Sequence, residues 1–194
     1  MTAAMRRLAR GAGIAMTVAM LLPLVSCAPS GAAVGDTNVH GSASQSSGVE
    51  RGDVSIGMIG SHTASADDLV LDAYDAAGLG ASYVSLADAV RPAACGQRAV
   101  RDMAARQVTL IVISNLDASQ DVQGWNGALT TARDAGIPVV LVDPIHVPSD
   151  ARLYAASFTI NDRAADSMPI GKASMLVIND QPHARNLMVT TLTR

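Results

Sequence analysis

The sequence predicts an α/β fold, an open parallel sheet of about five to six strands with helices on both faces, forming one Rossmann-like lobe. Three observations lead there. Short apolar runs alternate with helix-length amphipathic segments past residue 53, the pattern of βαβ units. "VTLIVIS" (Val108 to Ser114) is almost unbroken β-branched and aliphatic sequence, which suits a central strand covered on both faces. Glycines 78 and 136 close two of the helical segments, as helix C-termini favour.

The elements follow in order. "DVSIGMIG" (Asp53 to Gly60) reads as the first strand. A helix is expected from Ser65 to Gly78, with Ser65 as cap, Asp67 and Asp68 at its positive end, and Leu69, Ala73, Ala76 and Ala77 as its apolar stripe. A second strand spans Ala81 to Ala89. The next helix, Ala94 to Gln107, turns Ala99, Val100, Met103 and Ala104 inward. After the strand ending at Ser114 comes a helix from Ser119 to Gly136, then a strand over "IPVVLVD" (Ile137 to Asp143). "LYAASFTI" (Leu153 to Ile160) makes a fifth strand. Asp162 is expected to cap a helix running to about Ile178, with Pro169 marking either a kink or a new helix starting near Met168. "NLMVTTL" (Asn186 to Leu192) is the final strand.

The N-terminal segment is of another kind. Arg6, Arg7 and Arg10 precede an apolar run from Ile14 to Val25, broken by Thr17 and Pro23. A basic start, a short apolar stretch and a small residue at its end describe a secretory signal over residues 1–26; the run is too short for a retained membrane span. Leu24-Val25-Ser26-Cys27 resembles the bacterial lipobox. That resemblance implies that Cys27 is the first mature residue and carries a diacylglycerol, placing the protein at the extracytoplasmic face of the cell membrane. Residues 28 to about 52 are rich in Ser, Gly and Ala with few large apolar side chains. Residues 27–52 are therefore expected to be a lipid-anchored, disordered linker. The lobe then occupies residues 53–194.

Composition removes several classes of function. Cleavage after residue 26 takes three arginines and no acid, leaving eleven cations against seventeen acids, a net charge of −6. No nucleic-acid partner is expected of such a chain. The four histidines (His40, His62, His146, His183) are scattered, and Cys95 is the only cysteine besides Cys27, so neither a metal site nor any other cofactor is expected. "GMIGSH" is not a dinucleotide-binding GxGxxG, no nucleophile sits beside a base, and no enzyme is expected.

Open parallel sheets bind ligands outside the carboxyl ends of their strands. Those ends carry Ser61 and His62, Asp88, Ser114 with Asn115 and Asp117, Asp143, and Asn161 with Asp162. Such groups can satisfy sugar hydroxyls, and they are equally the residues of ordinary turns. "CGQRAVRDMAARQVTLIVISNLDA…ALTTARDAGIPVVLVD" and the later "FTINDRAADS" resemble the first lobe of type I periplasmic binding proteins, the ribose/galactose-like solute receptors. The resemblance runs from about Asp53 to Asp166, with a hinge-like stretch from about residue 161. By position it implies ligand contacts at Ser61, His62, Ser114, Asp143 and Asn161 or Asp162. It departs from the family in having no aromatic residue in "SHTASADD" and Pro144 where many members carry arginine. The family closes two lobes on its ligand, and this chain has the length of one. Either it is a truncated relative, or its final strand folds back onto a single sheet.

The expected function is thus a membrane-anchored solute-binding lipoprotein resembling the sugar-binding component of an ABC importer. Its partners would be the membrane, a small sugar, and an ABC permease or a separate second lobe. The alternative is a lipoprotein that keeps the fold as a structural or protein-interaction module.

Overall fold

A computed structural model describes residues 31–37, 48–60 and 66–192. Ser61 and His62, the signal segment and Cys27 lie outside the described residues, as does Ser65, the expected helix cap.

Seven strands form one sheet in the order β2-β1-β3-β4-β5-β7-β6, every pair parallel. They are β1 (Ser55–Ile59), β2 (Gly80–Val84), β3 (Leu110–Ser114), β4 (Val139–Val142), β5 (Ala156–Ile160), β6 (Met168–Pro169) and β7 (Asn186–Thr190). Helices α1 (Asp67–Ala76), α2 (Pro92–Ala105), α3 (Val122–Asp134) and α4 (Ile170–Ile178) cover the sheet. The final strand does join the single sheet, between β5 and β6.

The strands sort their side chains by period two. On β3, Leu110 and Val112 enter the layer shared with α1 and α4, whereas Ile111 and Ile113 enter the layer shared with α2 and α3. Neighbouring β4 does the same with Val140 and Val142 against Val139 and Leu141. All five β3 residues are buried, as a central strand requires. Gly57 of β1 has no side chain because Met103 of α2 fills its place: a Cβ there would lie 2.5 Å from the Met103 sulfur.

Several local expectations change. Ala66, not Ser65, holds the N-cap position of α1, and no side chain caps it. The buried stripe of α1 is Asp67, Val70, Ala73 and Tyr74, while Leu69 is half exposed. Val70, Ala73 and Tyr74 follow one another at i, i+3 and i+4 and so share the face turned to the core, and Leu69 lies beside that face. Asp162 caps no helix. Pro169 precedes α4 directly, so of the two readings of that proline the new helix is correct. Leu153, expected to open the fifth strand, instead ends a 3-10 turn over residues 151–153, and β5 begins at Ala156.

The largest change falls in the stretch expected to be a spacer. Residues 31–37 pack against the lobe. Ala33 is 2% exposed, the Gly35 carbonyl accepts a hydrogen bond from the buried His183 ring at 2.7 Å, and Asp36 pairs with Arg185. All these partners lie at the amino ends of the strands.

Candidate functional site

The connections leaving β1 and β3 diverge, since α1 carries the chain outward to β2 while α3 carries it toward β4. The carboxyl ends of β1 and β3 therefore flank a topological switch point, where open α/β sheets form a crevice. A pocket lies there, lined by Gly60, Leu86, Ser114, Asn115, Trp125 and Ile145 among others.

Ser114 and Asn115, both sequence-predicted, line it, and Asp143 ends the next strand. Ser114 ends β3, is 7% exposed, and lines the pocket. It pairs in register with Val142, so Asn115 and Asp143 leave adjacent strands side by side. The backbone marks the place: Asn115 and Asp143 have φ of 48° and 44°, the left-handed region that Asn and Asp tolerate better than other non-glycine residues. The Asn115 amide donates to Val142 O at 2.8 Å and the Asp143 amide to Phe158 O at 2.9 Å, so both turns stay tied to the sheet. Asp143 Oδ1 accepts from the Ile160 amide at 3.2 Å. Burial raises its carboxyl above the ordinary value, and that single hydrogen bond only partly offsets the rise.

Asp117 and Asp162 are committed locally. Asp117 Oδ1 accepts from Ser119 Oγ at 2.6 Å and the Ser119 amide at 3.1 Å, and faces His146 Nδ1 at 3.0 Å. Its other oxygen accepts from Gln120 at 3.1 Å. Together these contacts, with Ser119 foremost, hold its carboxyl below the ordinary value against desolvation. They also tie the loop after β3 to the loop after β4, the two walls beside Ser114 and Asp143. Asp162 accepts from Thr190 Oγ1 (2.8 Å), the Thr191 amide (2.7 Å) and Thr191 Oγ1 (2.8 Å). Desolvation pushes its carboxyl up, but the three donors outweigh it and the net movement is downward. Asn161 Oδ1 accepts from the Arg163 and Ala164 amides, organising the turn after β5. Asp88 is exposed beyond β2. Ser114 and Asp143 thus come together, while Asn161 and Asp162 follow β5, next to β4 and two strands from β3, with their oxygens engaged.

Sequence reasoning missed three residues here. Trp125 is 4% exposed and lines the pocket, and its indole N–H has no hydrogen-bond partner among the described residues. Being the only tryptophan, it offered a signal, but helix period alone marks it as core. Tyr83 donates to the buried Asp67 carboxylate at 2.8 Å; burial first, then that carboxylate, pushes the phenol up to about 12. Both crowd against Gly60, where a Cβ would overlap the Tyr83 hydroxyl. No sequence pattern announces a contact between β2 and the start of α1.

No family model matches the chain, and no curated protein does. Several solved structures are similar to it. One is a Mycobacterium smegmatis protein in complex with β-D-fucofuranose, at 16% identity over 71% of this chain and 54% of that one, TM-score 0.45. A second is LsrB from Clostridium saccharobutylicum in complex with AI-2, at 22% identity over 64% of this chain and 35% of that one, TM-score 0.44. A third is a pilus assembly-related protein from Burkholderia pseudomallei, at 17% identity over 71% of this chain and 97% of that one, TM-score 0.44. Sugar-binding components of ABC transporters recur among the similar structures. The chain spans 35% to 58% of the length of such solute-binding structures.

Proposed function

We propose that this chain is an extracytoplasmic solute-binding lipoprotein. It is anchored through acylated Cys27 and receives a small polyhydroxylated ligand, of the sugar class, at the carboxyl edge of its sheet. One observation carries the reading: the buried Ser114 hydroxyl emerges at the switch point, and the half-buried Asp143 carboxylate emerges beside it on the next strand, β4. Asn115, next to Ser114, and Asp143 itself lie in the left-handed region, where strain concentrates when a site requires it. Ser114 takes no side-chain partner among the described residues, and Asp143 has one oxygen uncommitted, so each can hydrogen-bond a ligand hydroxyl. The residues combine donor and acceptor capacity, which suits the binding of a ligand rich in hydroxyls. Pockets usually enclose most of a ligand, so a second wall would come from a separate lobe.

A charge-assisted hydrogen bond contributes about 1.5–3 kcal/mol. Asp143→Ala should therefore weaken binding by about 10- to 100-fold while hardly moving the melting temperature. Calorimetric titration against mono- and disaccharides, paired with thermal melts, tests this. Absence of binding by the wild type at millimolar sugar, with a lowered melting point in Asp143→Ala, would sink the receptor reading.

The second reading is a protein-interaction module that binds no sugar. It is favoured by the apolar rim of the same edge, where Val122, Ile145 and Val147 are 51%, 58% and 45% exposed. Intact crevice geometry without any sugar binding would support it.

A further inference from the structure

We infer that residues 31–37 are a strap that locks the anchor to the amino edge of the sheet, so that the lobe stands on the bilayer with its ligand edge facing away. The inference rests on the proposed acylation of Cys27 and adds an orientation to it.

The contacts are specific to that edge. Arg133, in the last turn of α3, donates to Ala32 O at 3.3 Å. Gly35 has φ of +77°, and a Cβ there would lie 3.0 Å from Pro138 Cβ and 3.0 Å from Val177 Cγ1. The chain thus threads between the residue before β4 and the last turn of α4, in a backbone conformation and a space that favour glycine. His183 Nε2 donates to Gly35 O at 2.7 Å, and the His183 amide donates to Thr37 O at 3.3 Å. Thr37 Oγ1 donates to Asp180 Oδ1 at 2.6 Å. The Arg185 guanidinium holds Asp36, and also donates to Ala151 O and Tyr154 O at 2.6 and 3.2 Å. One arginine therefore joins the strap to the entrances of β5 and β7. His183 is 5% exposed, so the strap helps close the core here.

Only Ala28, Pro29 and Ser30 separate Cys27 from the strap. Three residues span at most about 10 Å. A free linker from Cys27 to Gly48 would instead have a root-mean-square reach of roughly 25 Å and would let the lobe tumble. With the strap docked, Pro138, Val177 and His183 stay close to the headgroups. Ser114 and Asp143 stand a strand length beyond them, roughly 17 Å at 3.3 Å per residue. The crevice is then open to solute and to a partner from above, and shielded from the bilayer below.

Energy transfer measures this orientation. The mature chain would carry Cys95→Ala, so that Cys27 alone couples to a maleimide lipid in phosphatidylcholine vesicles containing a dansyl headgroup acceptor. In a Trp125→Phe background, Asp134→Trp puts the donor at the amino edge and Ile145→Trp puts it at the carboxyl edge. Transfer should be several-fold greater from position 134 than from 145. Adding Gly35→Val, which the strap cannot accommodate, should abolish most of that difference and open residues 31–37 to protease. Equal transfer from the two positions in the strapped protein, or an unchanged difference with Gly35→Val, would overturn the inference. Because the lipid is attached chemically, these outcomes do not depend on cellular processing. Labelled palmitate should separately appear on the expressed wild type and not on Cys27→Ala. Its absence from the wild type would remove the anchor and the orientation together, whereas labelling with equal transfer would remove the strap alone.

Discussion

Asp162 joins two distant parts of the chain. Thr190 and Thr191 are 3% and 7% exposed, and their hydroxyls, with the Thr191 amide, all donate to this one carboxylate. Asp162→Ala would leave these donors without an acceptor at the end of β7, costing about 2 kcal/mol, measurable as a lower urea midpoint with an unchanged slope. The carboxyl is held below its ordinary value of 3.8, so its contribution is complete above pH 3.8 and disappears as pH falls through the lower folded value. Asp162→Asn should be less stable than wild type at neutral pH and converge on it in acid. A constant gap at every pH would mean that the charge does not matter. The sequence placed Asp162 at the correct edge of the sheet because a strand ends before it. Its assignment to ligand or helix cap was open because its partners lie 28 and 29 residues further along, and no local pattern encodes so distant a contact. Ser114 and Asp143 were legible for the opposite reason: each directly ends an apolar strand, so position along the chain alone determines where it emerges.

At the level of elements, α1 and α4 share one face of the sheet and approach each other at small residues. A Cβ on Gly171 would lie 2.6 Å from Ala77 Cβ. Tyr74 and Ser174 hydroxyls are bonded at 2.9 Å in the same buried contact. Gly171→Ala should push α4 away and destabilise by about 1–3 kcal/mol despite alanine's better helix propensity. Equilibrium unfolding would check it, and a stabilised variant would show that the helices have room to separate. The strands and helices with strong periodicity, β1, β3, β4 and α2, were legible because local pattern and tertiary burial agree. The two-residue strand β6 was not, since Met168 and Pro169 extend only because β7 offers them Val189 and Thr190. The docked segment 31–37 escaped for a related reason. Its residues are mostly small, as a spacer's would be, and it is held by distant partners: its carbonyls accept from Arg133 and His183, and Asp36 and Thr37 bond to Arg185 and Asp180.

The whole molecule separates its tasks between two edges of one sheet, with the strap and Arg185 at the amino ends and Ser114 with Asp143 at the carboxyl ends. The two aspartates near the carboxyl edge respond to acid in opposite ways. Burial holds Asp143 above 3.8, whereas its donors hold Asp162 below 3.8. As pH falls, Asp143 protonates first and loses its capacity to accept a hydrogen bond as a carboxylate. A group with a raised folded value contributes stability that is present below its unfolded value and lost as pH rises through the folded one, so protonating Asp143 does not loosen the fold. The Asp162 contribution, by contrast, remains largely intact until pH drops below 3.8. As pH falls, ligand binding should therefore weaken before the fold does. Calorimetry with a bound sugar from about pH 7 to about pH 4 should record a fall in affinity, while circular dichroism stays constant. Asp143→Asn should start weaker at neutral pH and change little over the same range. Affinity that holds steady until the dichroism signal collapses, or an Asp143→Asn profile as steep as wild type, would show that Asp143 does not bear the ligand's hydrogen bonds.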